Sequence, residues 1–262
     1  MFHLAISNIG WIPEDDAEIY SEMKKLGFTG LEIAPTRVFP ERPYDDLERA
    51  RAWKKALNDE YGFAIPSMQS IWYGRTESIF GSEEEQAMLT EYTQKAIAFA
   101  GAMGCGNLVF GCPKNRVLPE GVADEAAVEF FRTIGDYALA NNTVIGMEAN
   151  PPIYHTNYIN TTCEALALIR RVDSEGFKLN LDMGTMIYNN EDVCILEDSI
   201  GMINHVHISE PGLIEIRRRE KHRQLKQLLE GHYQNYISIE MGRTDDTDAV
   251  KRCMAYVCEV FQ

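Results

Sequence analysis

The sequence has no C-x-x-C pair and no apolar run near the roughly eighteen residues that cross a bilayer. It also has no glycine-rich loop leading from a strand into a helix, and it is short of positive charge. Each lack removes a class of function. The six cysteines (Cys105, Cys112, Cys163, Cys194, Cys253 and Cys258) stand singly, which argues against a zinc knot or a disulfide framework and fits reduced thiols. The opening stretch MFHLAISNIGWIPEDD has no basic segment and only a short apolar one, so the expected location is cytoplasmic, with neither signal peptide nor membrane anchor. The one glycine cluster, at 101, 104 and 106, reads as a helix end entering a strand, the reverse of a dinucleotide fingerprint. Lys and Arg number 25 against 40 Asp and Glu, and the formal charge of −15 repels phosphate backbones and anionic lipid. Nucleic acid and membrane are therefore not expected as partners. No linker or low-complexity tract divides the 262 residues, so one domain, 1–262, is expected.

What is present is a regular alternation. β-rich runs at 3–7, 30–34, 64–69, 107–111, 144–149, 178–182, 205–209 and 236–241 are separated by amphipathic helical stretches. Ser82 with Glu85, and Thr161 with Glu164, predict capping boxes, and Pro13 suits a first helical turn. Met88, Tyr92, Ala96, Phe99 and Met103 recur at helical spacing, as do Val250, Met254, Val257 and Phe261, so each set predicts a stripe facing the core. Eight strand–helix units of about thirty residues predict an α/β fold, a (β/α)8 TIM barrel. A doubly wound open sheet is the alternative, and it lacks its glycine-rich loop here.

In such a barrel the chemistry sits where the strands end. Glu148 closes the fifth run, Asp182 the sixth and Glu240 the eighth, while His205 and His207 in the seventh share one face because strand side chains alternate. A single strand histidine is ordinarily a core residue satisfied by a carbonyl. Four adjacent strands offering ionisable groups at one height are a different matter. Three carboxylates packed together repel unless a cation neutralises them, and oxygen donors with one imidazole suit Mn²⁺ or Mg²⁺, with Co²⁺ and Zn²⁺ compatible. The expected cofactor is one divalent metal ion held by Glu148, Asp182, His207 and Glu240, with His205 one layer deeper in support.

The motifs SNIGW (7–11), GLEIAPTR (30–37), SMQSIWYG (67–74), FGCPKNR (110–116), MEANPP (147–152), LDMGT (181–185), HVHISEP (205–211) and SIEM (238–241) run the length of the chain. Through them the sequence resembles the xylose isomerase-like barrels, which include sugar-phosphate isomerases and epimerases, ketose 3-epimerases and barrel-type apurinic endonucleases. By that resemblance Glu148, Asp182, His207 and Glu240 match the metal ligands of the epimerases, and the two glutamates match their acid/base pair. Two departures stand out. Thr185 lies where the ketose epimerases and the endonucleases carry a histidine, and SEPGL (209–213) contains neither the arginine of the ketose epimerases nor the Asp-x-His of the endonucleases. They argue against a trinuclear zinc site and against a free ketose as substrate.

The expected reaction is isomerisation or epimerisation of a sugar or sugar phosphate through a metal-stabilised enediolate. Glu148 and Glu240 are the catalytic residues, one removing a proton and the other returning it, in either order. Glu32, Gln69, Arg75, Asn115, Asn150, Tyr154 and His155 lie at or just past strand ends, and about half of them are expected to line a pocket for a small carbohydrate. Arg217, Arg218 and Arg219, with Lys221 and His222, read most simply as a solvated helix face, although barrels also hold phosphate after their seventh strand. Two other classes stay open. A sugar or inosose dehydratase would begin with the same proton abstraction and lose water, and a non-catalytic sugar-binding barrel would hold metal without exchanging C–H protons. Assembly into a homo-oligomer is compatible with either.

Overall fold

β-branched runs too short to bury themselves must pack against the helices that follow them, and the chain repeats this step throughout. The computed structural model describes residues 2–262. Seven strands, β1 (His3–Ser7), β2 (Gly30–Glu32), β3 (Leu108–Phe110), β4 (Ile145–Met147), β5 (Phe177–Asp182), β6 (Ile203–Ile208) and β7 (Tyr236–Ile239), form one sheet. Its order is β2-β1-β7-β6-β5-β4-β3, with every pair parallel, so the first strand sits beside the last and the sheet curls.

The difference from expectation is the third predicted strand, 64–69. Pro66 offers no N–H to a ladder in the middle of it. The segment makes isolated bridges instead, Ala64 to Gly30 on one side and Met68 to both Ile33 and Leu108. It therefore lies between β2 and β3 without becoming a regular strand, and seven strands stand where eight are predicted. The fifth to eighth predicted strands are β4 to β7.

The helices are α1 (Asp16–Lys25), α2 (Pro35–Val38), α3 (Leu47–Tyr61), α4 (Glu83–Met103), α5 (Glu125–Ala140), α6 (Thr162–Val172), α7 (Met183–Tyr188), α8 (Glu220–Leu229) and α9 (Thr247–Phe261). Both predicted capping boxes start helices, Ser82 with Glu85 at α4 and Thr161 with Glu164 at α6. Gly104 ends α4 in the left-handed region, φ +65°, so the glycine cluster is a turn. The α9 stripe is buried as predicted. The α4 stripe is rotated at its start: Leu89 and Thr93 face inward while Met88 is 40% exposed. Trp72 explains the rotation, because its buried Nε1–H needs an acceptor and finds Thr93 Oγ1 at 2.9 Å.

Apolar side chains form one continuous cluster from Phe2 to Phe261 between sheet and helices. Glu32, Asn180, His205 and His207 are also fully buried, and they contact one another or Glu148. Buried polar groups persist only when paired, so this set has to be read as a unit. Among the described residues no helix is long and apolar enough to cross a membrane.

Candidate metal centre

Strand register assembles the site. Asp182 on β5 lies opposite His207 on β6, His207 lies opposite Ser238 on β7, and Glu148 and Glu240 are the first residues beyond β4 and β7. One donor atom from each of Glu148, Asp182, His207 and Glu240 falls within 4.8 Å of the others. His207 Nδ1 is 2.9 Å from Glu148 Oε1 and 3.3 Å from Glu240 Oε2. Glu148 is held on both oxygens, by Asn180 Nδ2 at 2.9 Å and by Asn150 Nδ2 at 3.0 Å. Asp182 caps α7, accepting the Thr185 N–H at 2.7 Å and facing the Thr185 hydroxyl at 2.8 Å, while its other oxygen accepts from Ser209. Thr185 thus buttresses the carboxylate three residues before it. Gly111 leaves room for Glu148, since a Cβ there would stand 2.9 Å from Oε2.

Burial raises the pKa of Glu148, Asp182 and Glu240 alike. Repulsion from Glu240 adds to it at Glu148, and repulsion from Glu148 adds to it at Asp182. Burial alone would depress His207, but Glu32 and Glu240 beside it hold it well above the usual imidazole value. Three carboxylates stand against one imidazole, an excess of negative charge that a bound cation would offset. Three carboxylate oxygens and one imidazole nitrogen within this span fit a divalent ion of the Mg²⁺, Mn²⁺ or Zn²⁺ kind.

Beneath the cluster, His207 Nε2 lies 3.0 Å from Glu32 Oε2, and Glu32 Oε1 accepts from Gln69 Nε2 at 3.1 Å. His205 Nε2 is also 3.0 Å from Glu32 Oε2 but lacks the alignment of a hydrogen bond, and burial lowers the pKa of this imidazole. Burial would raise the Glu32 pKa, yet the two imidazoles hold it well below the ordinary range. An Nε2–H donated to Glu32 fixes the tautomer that leaves Nδ1 facing Glu148 and Glu240. Glu32, expected at the substrate, is instead sealed under His207.

A cavity of about 170 Å³ opens over the three carboxylates, lined by Gln69, Ser70, Val109, Gly111, Cys112, Pro113, Glu148, Asn150, Tyr154, Asp182, Leu213 and Glu240. Three of the seven expected substrate residues, Gln69, Asn150 and Tyr154, are on its wall. Arg75 turns away to pair with Glu77 and lies 5.0 Å from the Tyr92 ring, and Asn115 donates to the Arg75 and Glu77 carbonyls at 3.2 and 2.8 Å. His155 is exposed in a left-handed turn, φ +65°. These three shape loops rather than the cavity wall. The basic run is divided: Arg217 and Arg218 lie on the solvated surface, while Arg219, Lys221 and His222 turn inward to partners. Arg219 forms two hydrogen bonds to buried Glu210, Arg218 two to Glu259, Lys221 binds the Glu191 carbonyl, and His222 is buried against the Tyr256 hydroxyl.

Asn180, Ser209 and Arg116 escape the sequence reading. Asn180 was findable, being two residues before Asp182 on the same strand face. Arg116 carries no such signal. It is fully buried and donates to the carbonyls of Gly111 (2.7 Å), Glu148 (3.1 Å), Ile159 (3.2 Å) and Tyr158, and to Asn150 Oδ1 (2.7 Å). Burial pushes its guanidinium down to about 10. By occupying Asn150 Oδ1 it orients that amide so that Nδ2 meets Glu148.

A sequence model of the xylose isomerase-like TIM barrel matches residues 20–255. The chain belongs to that family. The structure of this barrel is similar to the E. coli 3-keto-D-glucoside 4-epimerase YcjR, with 19% identity, 98% of this chain and 99% of that one covered, and a TM-score of 0.78. It is also similar to D-psicose 3-epimerase from Clostridium cellulolyticum H10, solved with D-tagatose (15% identity, 100% of both chains, TM-score 0.77). A family 2 AP endonuclease from Brucella melitensis shares the barrel as well (18% identity, 98% and 99% of the chains, TM-score 0.73). At these identities the likeness is one of fold. No curated protein matches the sequence significantly.

Proposed function

We propose that this barrel is a metal-dependent isomerase or epimerase of a keto sugar, with Glu148 and Glu240 as the proton-transferring pair. The observation that carries the reading is the placement of two buried carboxylates, both with raised pKa, about one imidazole at the base of a small cavity. Glu148, Asp182, His207 Nδ1 and Glu240 would hold the divalent ion, and an ion bound there polarises a carbonyl and makes the neighbouring C–H more acidic.

The rest falls to the side chains. Raising a carboxylate's pKa makes it a stronger base for taking a proton from carbon, and its acid form remains available to return one, which is the property a general acid and base need. Glu148 is held by Asn150 and Asn180, while Glu240 meets only His207, so the two carboxylates present unequal environments to the substrate. A proton taken from carbon by one and returned by the other to the opposite face gives an epimer, and return to the adjacent carbon gives an isomer. Gln69, Asn150 and Tyr154 are positioned to meet sugar hydroxyls.

No Lys or Arg lines the cavity, which favours a neutral sugar over a phosphorylated one. The names of two structural neighbours, both sugar epimerases, agree with the reading. The charge of −15 and Thr185 speak against abasic DNA. The reading also takes segment 64–69 as the eighth stave of a (β/α)8 barrel, supported by its bridges to both neighbours. The test is to incubate metal-loaded protein in D₂O with free ketoses, ring-keto glycosides and their phosphates. Deuterium should enter the carbon beside the ketone of one of them; no exchange on any sugar refutes the proposal.

A further inference from the structure

Three polar side chains on the cavity wall, Gln69, Asn150 and Tyr154, have their hydrogen-bonding direction fixed from behind. Gln69 Nε2 donates to Ser7 Oγ at 2.7 Å and to Glu32 Oε1 at 3.1 Å. Despite its burial, Glu32 is held ionised by the imidazoles of His205 and His207, so it can only accept, and the amide nitrogen of Gln69 has to face it. Both N–H groups of Gln69 are then engaged. Oε1 is the end left toward the cavity, where its one hydrogen-bond neighbour among the described residues is the Ser70 hydroxyl at a marginal 3.5 Å.

Asn150 is fixed the opposite way. Arg116 can only donate and it occupies Oδ1 at 2.7 Å, so the donor end is turned the other way, with one N–H on Glu148 at 3.0 Å and the second unengaged. Tyr154 is fixed by the main chain: its oxygen accepts the Gly212 N–H at 2.9 Å, and its own O–H remains to be donated. Burial, with Asp182, Glu240 and Glu148 nearby, pushes this phenol up to about 12, so it keeps its proton at neutral pH. Neither amide can be flipped. Turning Gln69 over would set its oxygen against a carboxylate, and turning Asn150 over would set N–H against the guanidinium.

We propose that this fixed polarity is what makes the cavity selective: Gln69 selects a hydroxyl that donates, whereas Tyr154 and Asn150 select oxygens that accept. The ligand class is a polyhydroxy ketone with an unsubstituted hydroxyl opposite Gln69. The proposal rests on the proton-transfer reading for the choice of a keto sugar, and it adds which of the sugar's oxygens are read. Methylating the hydroxyl opposite Gln69 leaves a buried acceptor without a donor, a larger loss than the bond alone. An ether opposite Tyr154 keeps its bond, because an ether oxygen still accepts.

The test uses erythrulose and its fully O-methylated ether as probes for Mg²⁺-loaded protein, with affinity read by ligand-detected NMR. Gln69→Leu should weaken erythrulose about five- to thirtyfold and leave the ether within about twofold, because only the hydroxyl form has a donor to lose. Tyr154→Phe should weaken both probes by a similar factor. In wild type the side-chain carbonyl carbon of Gln69 should shift when erythrulose is added and stay in place with the ether, a readout that needs no variant to fold. Equal loss of both probes in Gln69→Leu, a Tyr154→Phe loss confined to erythrulose, no binding of erythrulose, or a Gln69 carbonyl that moves with both probes or with neither would each overturn the proposal. Neither probe has to react. If the pattern holds while no ketone exchanges deuterium, the proton-transfer reading falls and the polarity of the cavity stands.

Discussion

Glu32→Gln removes one buried charge while keeping the shape of the side chain, and its effect can be worked out from two distances. Glu32 Oε2 lies 3.0 Å from His207 Nε2, and Oε1 accepts from Gln69 at 3.1 Å. With metal on Nδ1, the Nε2–H donates to a carboxylate, a bond worth about 1.5–3 kcal/mol against about 0.5–1.5 kcal/mol for a neutral acceptor. A glutamine carries one acceptor oxygen and so serves either His207 or Gln69, leaving the other donor facing an amide N–H₂. Losing roughly 1.4–2.8 kcal/mol corresponds to about 10- to 100-fold in metal affinity, the range found when the partner of a ligating histidine is removed. Calorimetric titration of Mn²⁺ into wild type and Glu32→Gln reads this directly, with circular dichroism confirming that the variant is folded. Glu32→Asp, which keeps the charge, should recover part of the loss. A folded Glu32→Gln binding Mn²⁺ within about twofold of wild type would refute the role assigned to Glu32.

Mn²⁺ affinity should fall as pH drops, beginning above the ordinary carboxylate range, because Glu148, Asp182 and Glu240 hold protons there. The same raised values mean that these groups stabilise the metal-free fold at mildly acid pH and lose that contribution as pH rises through them. Buried His205 and His222, with lowered pKa, add stability as pH rises toward the free imidazole value, so the contribution is read by difference. Metal-free wild type should lose stability relative to Glu148→Gln as pH rises from about 5 to about 8, and an unchanged difference would contradict this. Gly111→Ala should displace the Glu148 carboxylate, since the new Cβ would meet Oε2 at 2.9 Å, and weaken Mn²⁺ binding in calorimetry without loss of fold; unchanged affinity would contradict the contact. The protein should not nick an abasic duplex, and nicking that Asp182→Asn abolishes would overturn the reading of its charge and of Thr185.

The site was legible wherever strand geometry alone decides position. Alternation put His205 and His207 on one face, and parallel pairing brought Asp182 level with His207, because neither depends on loop conformation. Glu32 does close a strand, β2, but its carboxylate is fully buried against His207 of β6 and does not reach the cavity wall, a choice of direction that strand position alone does not reveal. Arg75, Asn115 and His155 sit in turns whose paths the sequence does not dictate, and hydrogen bonds within those turns absorb them. Arg116 was invisible because a buried arginine bound by carbonyls has no partner in sequence to announce it. The fold was readable from its alternation, except at 64–69, where Pro66 breaks the ladder that the flanking β-rich residues suggest.

The central claim is that two glutamates move the proton while Asp182 and His207 only bind, and the direct measurement is deuterium exchange by Glu148→Gln and Glu240→Gln on the ketone that wild type exchanges. Each variant, loaded with Mn²⁺ and its metal content measured, should lose interconversion by about 10²–10⁴-fold or more, because each loses a general acid or base. The two should differ in which epimer still gains deuterium, whereas Asp182→Ala and His207→Ala should lose metal and activity together. Wild-type rates from metal-loaded Glu148→Gln and Glu240→Gln would contradict the account, even with the barrel and the metal site intact.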